Sequence, residues 1–401
     1  MVTRGVRQQS LLNAFWVPIN FQNSAILAIA VPADLLRIAG ANHTRVLALL
    51  VSVAAALAMV VPPIAGAISD HVRRRGGLRR PVILIGAAIN VAGLFWMSRV
   101  TMLEPFTIAL LLAVLGQSIS LAAYQPLIPE VVHRGEWGLA SGYQGIATLI
   151  GSVLGLGFAS FLDPAAIFLW SAIFVIGGAV AVALTPEGRF VDDTEHVHIG
   201  NWFDFAVAFT SRMFVNLGLI LLMTFVLYFF HDVLGDQTPS RSTGYFGVLS
   251  LAGAAITSFW MGRLSDRVAR KNIVALSGVP MTIAICIFAA APSLHYLVLV
   301  ALLFGLGFGA FISTGWALAI DSVPQLRDVA RDLGIWGLAS GVPAIVGPIF
   351  GGWLLAHAHS PLTGYKTLFF VAALSFALGS LIVLLIGQAN RFGLKLRAHQ
   401  Q

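Results

Sequence analysis

Twelve apolar stretches, each long enough to form a helix and separated by short polar breaks, run through the 401 residues. In hydrocarbon a helix must satisfy its own backbone hydrogen bonds and needs about 20 apolar residues to cross. The pattern predicts helices at about 11–36, 44–69, 81–99, 105–128, 139–161, 164–184, 205–233, 243–264, 273–291, 294–319, 333–356 and 364–386. A soluble fold is excluded, since 58% of the chain is hydrophobic and 10% is charged, against roughly 25% charged in soluble domains. The expected fold class is an all-α integral membrane protein whose twelve transmembrane helices form two pseudo-symmetric six-helix bundles. The expected domains are an N-terminal bundle at 1–184, a cytoplasmic linker at 185–204 and a C-terminal bundle with a short cytoplasmic tail at 205–401. The linker is acidic around Asp192, Asp193 and Glu195, and its His196 and His198 read as solvated. Cys286, the one cysteine, lies inside an apolar run, which excludes an intrachain disulfide or a cysteine metal cluster.

Placing both termini in the cytoplasm puts eighteen of the 24 Lys and Arg residues in cytoplasmic segments, with five outside and Arg212 inside the seventh helix. That bias sets the expected orientation in the inner (plasma) membrane, multi-pass with N- and C-termini inside. It also accounts for the net charge of +7 without any nucleic-acid partner. Arg4 and Arg7 precede an apolar run as in a signal peptide, but that run is long and carries Asn13, Asn20, Gln22 and Asn23. It reads as a retained helix.

The segment after the second helix reads GAISDHVRRRGGLRRP from Gly66, and the one after the eighth reads GRLSDRVARKN from Gly262, with Asp70 and Asp266 offset by 196. Glu130 and Asp321, ending helices 4 and 10, are offset by 191, and WGLASG occurs at Trp137 and at Trp336, offset by 199. Three landmarks in one order at one approximate period indicate duplication of a six-helix half. Gly66 and Gly262 would let a neighbouring helix approach closely. The acids at helix ends can meet an opposing helix N-terminus or an arginine.

G-x-x-S-D followed by a basic cluster, in both halves, resembles the signature of the major facilitator superfamily, across essentially the whole chain. The longer first loop, ending Gly77-Leu78-Arg79-Arg80-Pro81, is similar to the sugar-cation symporter branch, which includes glycoside-pentoside-hexuronide and sucrose-type carriers. His71 stands where that family has Arg or Lys, and Arg73 and Ala269 stand where its shorter motif has Gly. The resemblance implies a gating charge network of Asp70, Arg74 and Glu130 in the first half, and of Asp266, Arg270 and Asp321 in the second. It also implies a central cavity lined by helices 1, 4, 7 and 10, with 5 and 11 contributing.

Polar residues on one face of an apolar helix mark a water-filled path. Helix 1 carries Asn13, Trp16, Asn20 and Asn23 on one face, and helix 5 carries Ser141, Gln144, Thr148 and Ser152. Helix 4 adds Gln117, Ser120, Tyr124 and Gln125, and helix 7 adds Arg212 and Asn216. Each amide could equally form a helix-to-helix hydrogen bond. Amides together with the rings of Trp16, Tyr124, Tyr143, Trp316 and Trp336 suit a neutral solute bearing hydroxyl groups. The expected substrate-binding residues are Asn20, Asn23, Gln117, Tyr124, Gln144, Arg212, Asn216, Trp316 and Trp336. Arg212 has three possible roles: holding a carboxylate substrate, pairing with an acid of another helix, or reaching the cytoplasmic interface.

A proton- or sodium-coupled carrier needs a membrane-embedded carboxylate or histidine, and helix 2 has none from Val46 to Ser69. The acids that sodium-dependent melibiose-like carriers place there are absent, which leaves Asp34 at the outer end of helix 1 as the candidate for proton coupling. Its alternative is a solvated helix-end charge. His231, Asp232, His357 and His359 lie near outer helix ends, where a metal site is the less favoured reading. No metal and no cofactor is expected.

The expected function is secondary transport of a small polar solute, a sugar or glycoside moved with protons by alternating access, by a monomer in the lipid bilayer. The alternative in the same fold is a proton-coupled exporter of drugs or metabolites. Drug antiporters of the superfamily carry G-P-x-x-G-G in helix 5, but here helix 5 reads Gly151-Ser-Val-Leu-Gly155, and Gly347-Pro348-Ile-Phe-Gly351-Gly352 falls in helix 11. An intramembrane enzyme is excluded, because neither HExxH nor GxSxG occurs.

Overall fold

A computed structural model describes residues 6–127, 137–185, 201–264, 268–290, 292–322 and 329–387. Among these the chain is all-helical, and eleven segments are long and apolar enough to cross a membrane. The first predicted helix is not continuous. It comprises α1 (Val6–Asn13), α2 (Trp16–Ala25), a π-helical turn at Ile26–Ala30 and α3 (Val31–Ile38). Pro18 sits in the first turn of α2, where its missing N–H costs no hydrogen bond. Pro32 sits just past the wider π turn and withholds the N–H that an α-helix would have needed there.

The first half continues with α4 (His43–Arg74), α5 (Arg80–Met97), α6 (Leu103–Tyr124), α7 (Trp137–Phe161) and α8 (Pro164–Leu184). The second half has α9 (Trp202–Asp232), α10 (Pro239–Leu264), α11 (Arg270–Ala290), α12 (Leu297–Ser322), α13 (Val329–Ala356) and α14 (Pro361–Ile382). α10 occupies the place of the eighth predicted span but is absent from the eleven. The side chains of residues 259, 262 and 263 of α10 lie outside the described residues, so the eleven do not test it.

Local chemistry sets the helix ends. Pro164 and Pro361 open α8 and α14, where Asp163 accepts from the Ala166 N–H at 3.4 Å and Ser360 from the Thr363 N–H at 3.2 Å. At the start of α9, Asn201 accepts from the Asp204 N–H at 2.7 Å, and Asp204 in turn accepts from the Gly387 N–H at 3.0 Å. α4 runs past its predicted end and stops at Gly76, whose φ of 81° suits glycine. The Gly77 and Gly76 N–H groups donate to the carbonyls of Val72 and Arg73, both at 3.0 Å, which closes the helix as a Schellman motif.

The described residues fall into two compact units, one of residues 1–193 with 237–245 and one of 194–236 with 246–401. Inside the first, α5 packs on α6 and α8, α4 on α6, and α2 on α7 and α8. Inside the second, α11 packs on α12 and α14, and α9 on α13 and α14, while Ser258 of α10 donates to the Gly309 carbonyl of α12 at 3.1 Å. The pairing order of one unit thus recurs in the other. Bulky apolar side chains such as Ile64, Ile85, Ile173, Leu276, Phe370 and Leu381 stay exposed, as lipid-facing surfaces require. Cys286 is partly buried in α11.

Small residues set close helix approach, and of the two glycines singled out from the sequence only Gly66 has its surroundings described, since those of Gly262 lie outside the described residues. A Cβ at Gly66 would meet nothing within 4 Å, so that glycine does not mark a tight helix contact among the described residues. One tight contact is between α5 and α6. There a Cβ on Gly86 would stand 2.6 Å from the Ser120 backbone nitrogen, and one on Gly116 would collide with the backbone nitrogen of Asn90.

Candidate functional site

The amide face of the first span is held from both sides. Asn20 of α2 donates through Nδ2 to the Trp16 carbonyl at 2.8 Å and to Thr148 Oγ1 of α7 at 3.3 Å. Gln117 of α6 donates to Asn23 Oδ1 at 3.1 Å, with Asn23 itself exposed. Gln144 is partly exposed and makes no hydrogen bond among the described residues. Asn20, Asn23, Gln117 and Thr148 therefore come together within the first unit, and the indole N–H of Trp16 is buried there without an acceptor.

Tyr124 departs from its expected role as a substrate contact. It is 1% exposed, its hydroxyl donates to the Leu12 carbonyl, and its ring packs edge-on against Phe15 at 5.2 Å. A ring so enclosed fastens α6 to α1 and α2.

One polar contact has no counterpart in the sequence reading. Gln22 and Asn90 exchange two amide hydrogen bonds at 3.1 Å each, and Asn90 Nδ2 also donates to the Ala113 carbonyl at 2.7 Å, so the first span, α5 and α6 are joined in the buried interior. The available signal was Asn90 standing alone in an otherwise apolar α5. Gln22→Leu or Asn90→Leu alone leaves one buried amide unpaired and is expected to cost about 1–3 kcal/mol. The double variant should recover about 0.5–2 kcal/mol of the summed cost. A double-mutant cycle by reversible unfolding in mixed detergent micelles checks this, and strict additivity would show that the two amides are uncoupled.

In the second unit Arg212 of α9 is met by α13. Its guanidinium carbon lies 5.0 Å from the centre of the Trp336 ring, and its Nε donates to Ser340 Oγ at 3.3 Å. Among the described residues no carboxylate pairs with Arg212, so the acid partner weighed from the sequence is not found. Trp336 is 3% exposed and its indole N–H has no acceptor among the described residues. Asn216 spends its Nδ2 on the Arg212 carbonyl at 2.9 Å. The side chain of Trp316 lies outside the described residues.

At the loop motif the partner of Asp70 is Arg79, not the expected Arg74. The Arg79 guanidinium reaches Asp70 Oδ1 at 2.6 Å and Ser69 Oγ at 2.9 Å, with Arg79 4% and Asp70 52% exposed. The Gly76 turn explains the exchange. It ends α4 and folds the following residues back, so that Arg79, at the start of α5, lies beside Asp70, while Arg74 on the last turn of α4 forms no ion pair among the described residues. Glu130 and Asp266 lie outside the described residues, as does the side chain of Asp321. Arg270 opens α11 and is partly buried.

Asp34 is not a solvated charge. Its side chain is 2% exposed and accepts from Arg37 one turn away at 2.6 Å. The corresponding end of α9 carries Asp232, 198 positions later. Its Oδ1 meets His231 Nδ1 at 2.7 Å and its Oδ2 accepts from the Tyr365 hydroxyl at 3.0 Å. Among the described residues no three His, Cys, Asp or Glu side chains gather as a metal site would require.

The sequence pattern of the Major Facilitator Superfamily matches residues 18–237 and again 205–396. The chain belongs to the Major Facilitator Superfamily. It is accordingly a multi-pass membrane protein of a transporter family. Among curated relatives, the multi-drug resistance efflux pump PmrA of Streptococcus pneumoniae is 26% identical over 188 residues, 46% of this chain and 45% of that one. The multidrug resistance protein MdtG of Klebsiella pneumoniae is 30% identical over 128 residues, 32% of this chain and 29% of that one. An uncharacterized MFS-type transporter of Mycobacterium tuberculosis is 33% identical over 104 residues, 26% of this chain and 15% of that one. The chain thus matches less than half the length of each of these relatives.

Among solved structures, the nucleoside transporter NupG superposes with a TM-score of 0.69 at 15% identity, covering 95% of this chain and 99% of that one. A bacterial homolog of the human lysosomal transporter Spinster, inward-facing and unoccupied, gives 0.69 at 15% identity over 96% of each chain. At these identities the likeness is one of fold, the Major Facilitator fold. The relatives above do not support the narrower placement with sugar-cation symporters.

Proposed function

We propose that this Major Facilitator protein carries a small hydroxyl-bearing solute, of the sugar or glycoside kind, together with protons by alternating access. The observation that carries the reading is the cluster of the Asn20, Asn23 and Gln117 amides with the Thr148 hydroxyl, with Gln144 beside it in sequence on the face of α7. Amides both donate and accept, and so match hydroxyl groups without committing to a charge. Asp34 is the coupling residue in this reading, because a buried carboxylate with a single arginine partner can exchange its proton as that partner moves. Asp70 and Arg79 form the gate, in a plasma membrane with both termini in the cytoplasm, and the excess of positive charge in the predicted cytoplasmic segments supports that orientation.

A second reading, proton-coupled export, is favoured by the relatives named as efflux pumps. Currents recorded from proteoliposomes on a solid-supported membrane separate the two. A panel of sugars, glycosides and organic acids, applied with and without a pH gradient, should give an inward, pH-dependent current, and Asp34→Asn should reduce it about tenfold or more. Asn23→Ala should raise the half-saturating concentration several-fold, about the worth of one hydrogen bond, at unchanged yield of folded protein. Currents of reversed proton direction select export. Silence across the panel from folded protein, with no solute-dependent change of internal pH either, overturns the uptake reading.

A further inference from the structure

A charged side chain within a membrane span is costly, and such residues pair with one another or lie on a substrate path. Arg212 is set ten residues into α9, about 15 Å along the helix, and no carboxylate of the described residues neutralises it. Nor does it reach away toward the helix end. The ring of Trp336 lies 5.0 Å beneath its guanidinium carbon and Ser340 takes its Nε, so two residues of α13, one turn apart, fix the plane of the group. We propose that Arg212 is the binding point for a carboxylate group on the transported solute. This rests on the transport reading above and names the class of solute.

The geometry matches that ligand in three respects. With Nε spent on Ser340, the two Nη groups keep their N–H donors without acceptors among the described residues, and this edge of the guanidinium fits the two oxygens of a carboxylate. Stacking on a fully buried indole removes most of the rotamer freedom that a free arginine would lose on binding. One cation with no second basic group in contact matches a single negative charge, whereas a phosphate dianion would stay half neutralised.

The test uses purified full-length protein and matched probes that differ only in the carboxylate: gluconate against sorbitol, and benzoate against benzyl alcohol. Binding by calorimetry should favour at least one acid over its alcohol by about tenfold or more, the worth of a charge-assisted bidentate contact. Arg212→Gln should erase that preference. Arg212→Lys, which keeps the charge but not the fork, should retain part of it, and Ser340→Ala should weaken it about two- to fivefold. If Arg212→Gln is not recovered folded, the Lys and Ala variants decide the matter, and full preference in both overturns the proposal. Equal binding of acid and alcohol by the unaltered protein, or no binding of either acid, also overturns it. Counterflow in proteoliposomes separates the two levels: transport of neutral probes without acid preference sinks this inference alone, and no transport of any probe sinks the reading beneath it.

Discussion

Arg79→Gln is expected to lower transport about tenfold or more, whereas Arg74→Gln should leave it within about twofold. The two arginines are close in sequence and carry the same charge, so charge alone cannot separate them. Position does, because the turn at Gly76 brings Arg79 to 2.6 Å from Asp70. The burial is lopsided, with Arg79 4% and Asp70 52% exposed, and so the pair should not respond evenly. Asp70→Asn removes a charged partner from a buried cation, while Arg79→Gln leaves a carboxylate that water can reach. Asp70→Asn should therefore destabilise the protein more, by about 1 kcal/mol. Uptake assays on the three variants, with thermal unfolding in detergent, check both statements. If the pair is the cytoplasmic gate, Asp70→Asn also increases labelling of cysteines placed on the cytoplasmic side. Equal transport by Arg74→Gln and Arg79→Gln would remove Arg79 from that gate.

The second large effect is structural. Gly116→Val should cost about 3–5 kcal/mol and leave little monodisperse protein. A side chain at Gly116 meets the Asn90 backbone, so α5 and α6 must separate. Separation also breaks the 2.7 Å bond from Asn90 to the Ala113 carbonyl and disturbs the Gln22 pair. Gly66→Ala is the matched control, since a Cβ there meets nothing within 4 Å, and should shift stability by less than about 1 kcal/mol. Fluorescence-detected size exclusion of the two variants reads the contrast directly, and a normal yield of Gly116→Val would show that the two helices are less constrained than their spacing implies.

The fold was largely legible because bilayer thickness imposes a length on every span and the repeat imposes an order. The exception has a physical cause. The first span is broken because Pro32 removes a backbone donor at the π turn. The site was legible by helix face but not by partner. A face can be read from spacing alone, as for Asn20, Asn23 and Gln117, which the structure brings together. Whether a polar group on that face is spent on its neighbours depends on tertiary contact. Tyr124 has the spacing of a cavity residue yet gives its hydroxyl to Leu12. The exchange of Arg74 for Arg79 follows from a turn whose direction depends on one positive φ. Gln22 and Asn90 are 68 positions apart, and no local pattern connects them.

The solitary thiol of α11 has a practical consequence. Cys286 is partly buried and behaves as a small apolar side chain, so Cys286→Ala should preserve the packing of α11. With 401 residues and no other sulfhydryl, that one change yields a blank background for site-directed spin labelling. Nitroxide pairs attached to chosen helices, read by pulsed dipolar spectroscopy, then turn each step of a transport cycle into a distribution of distances.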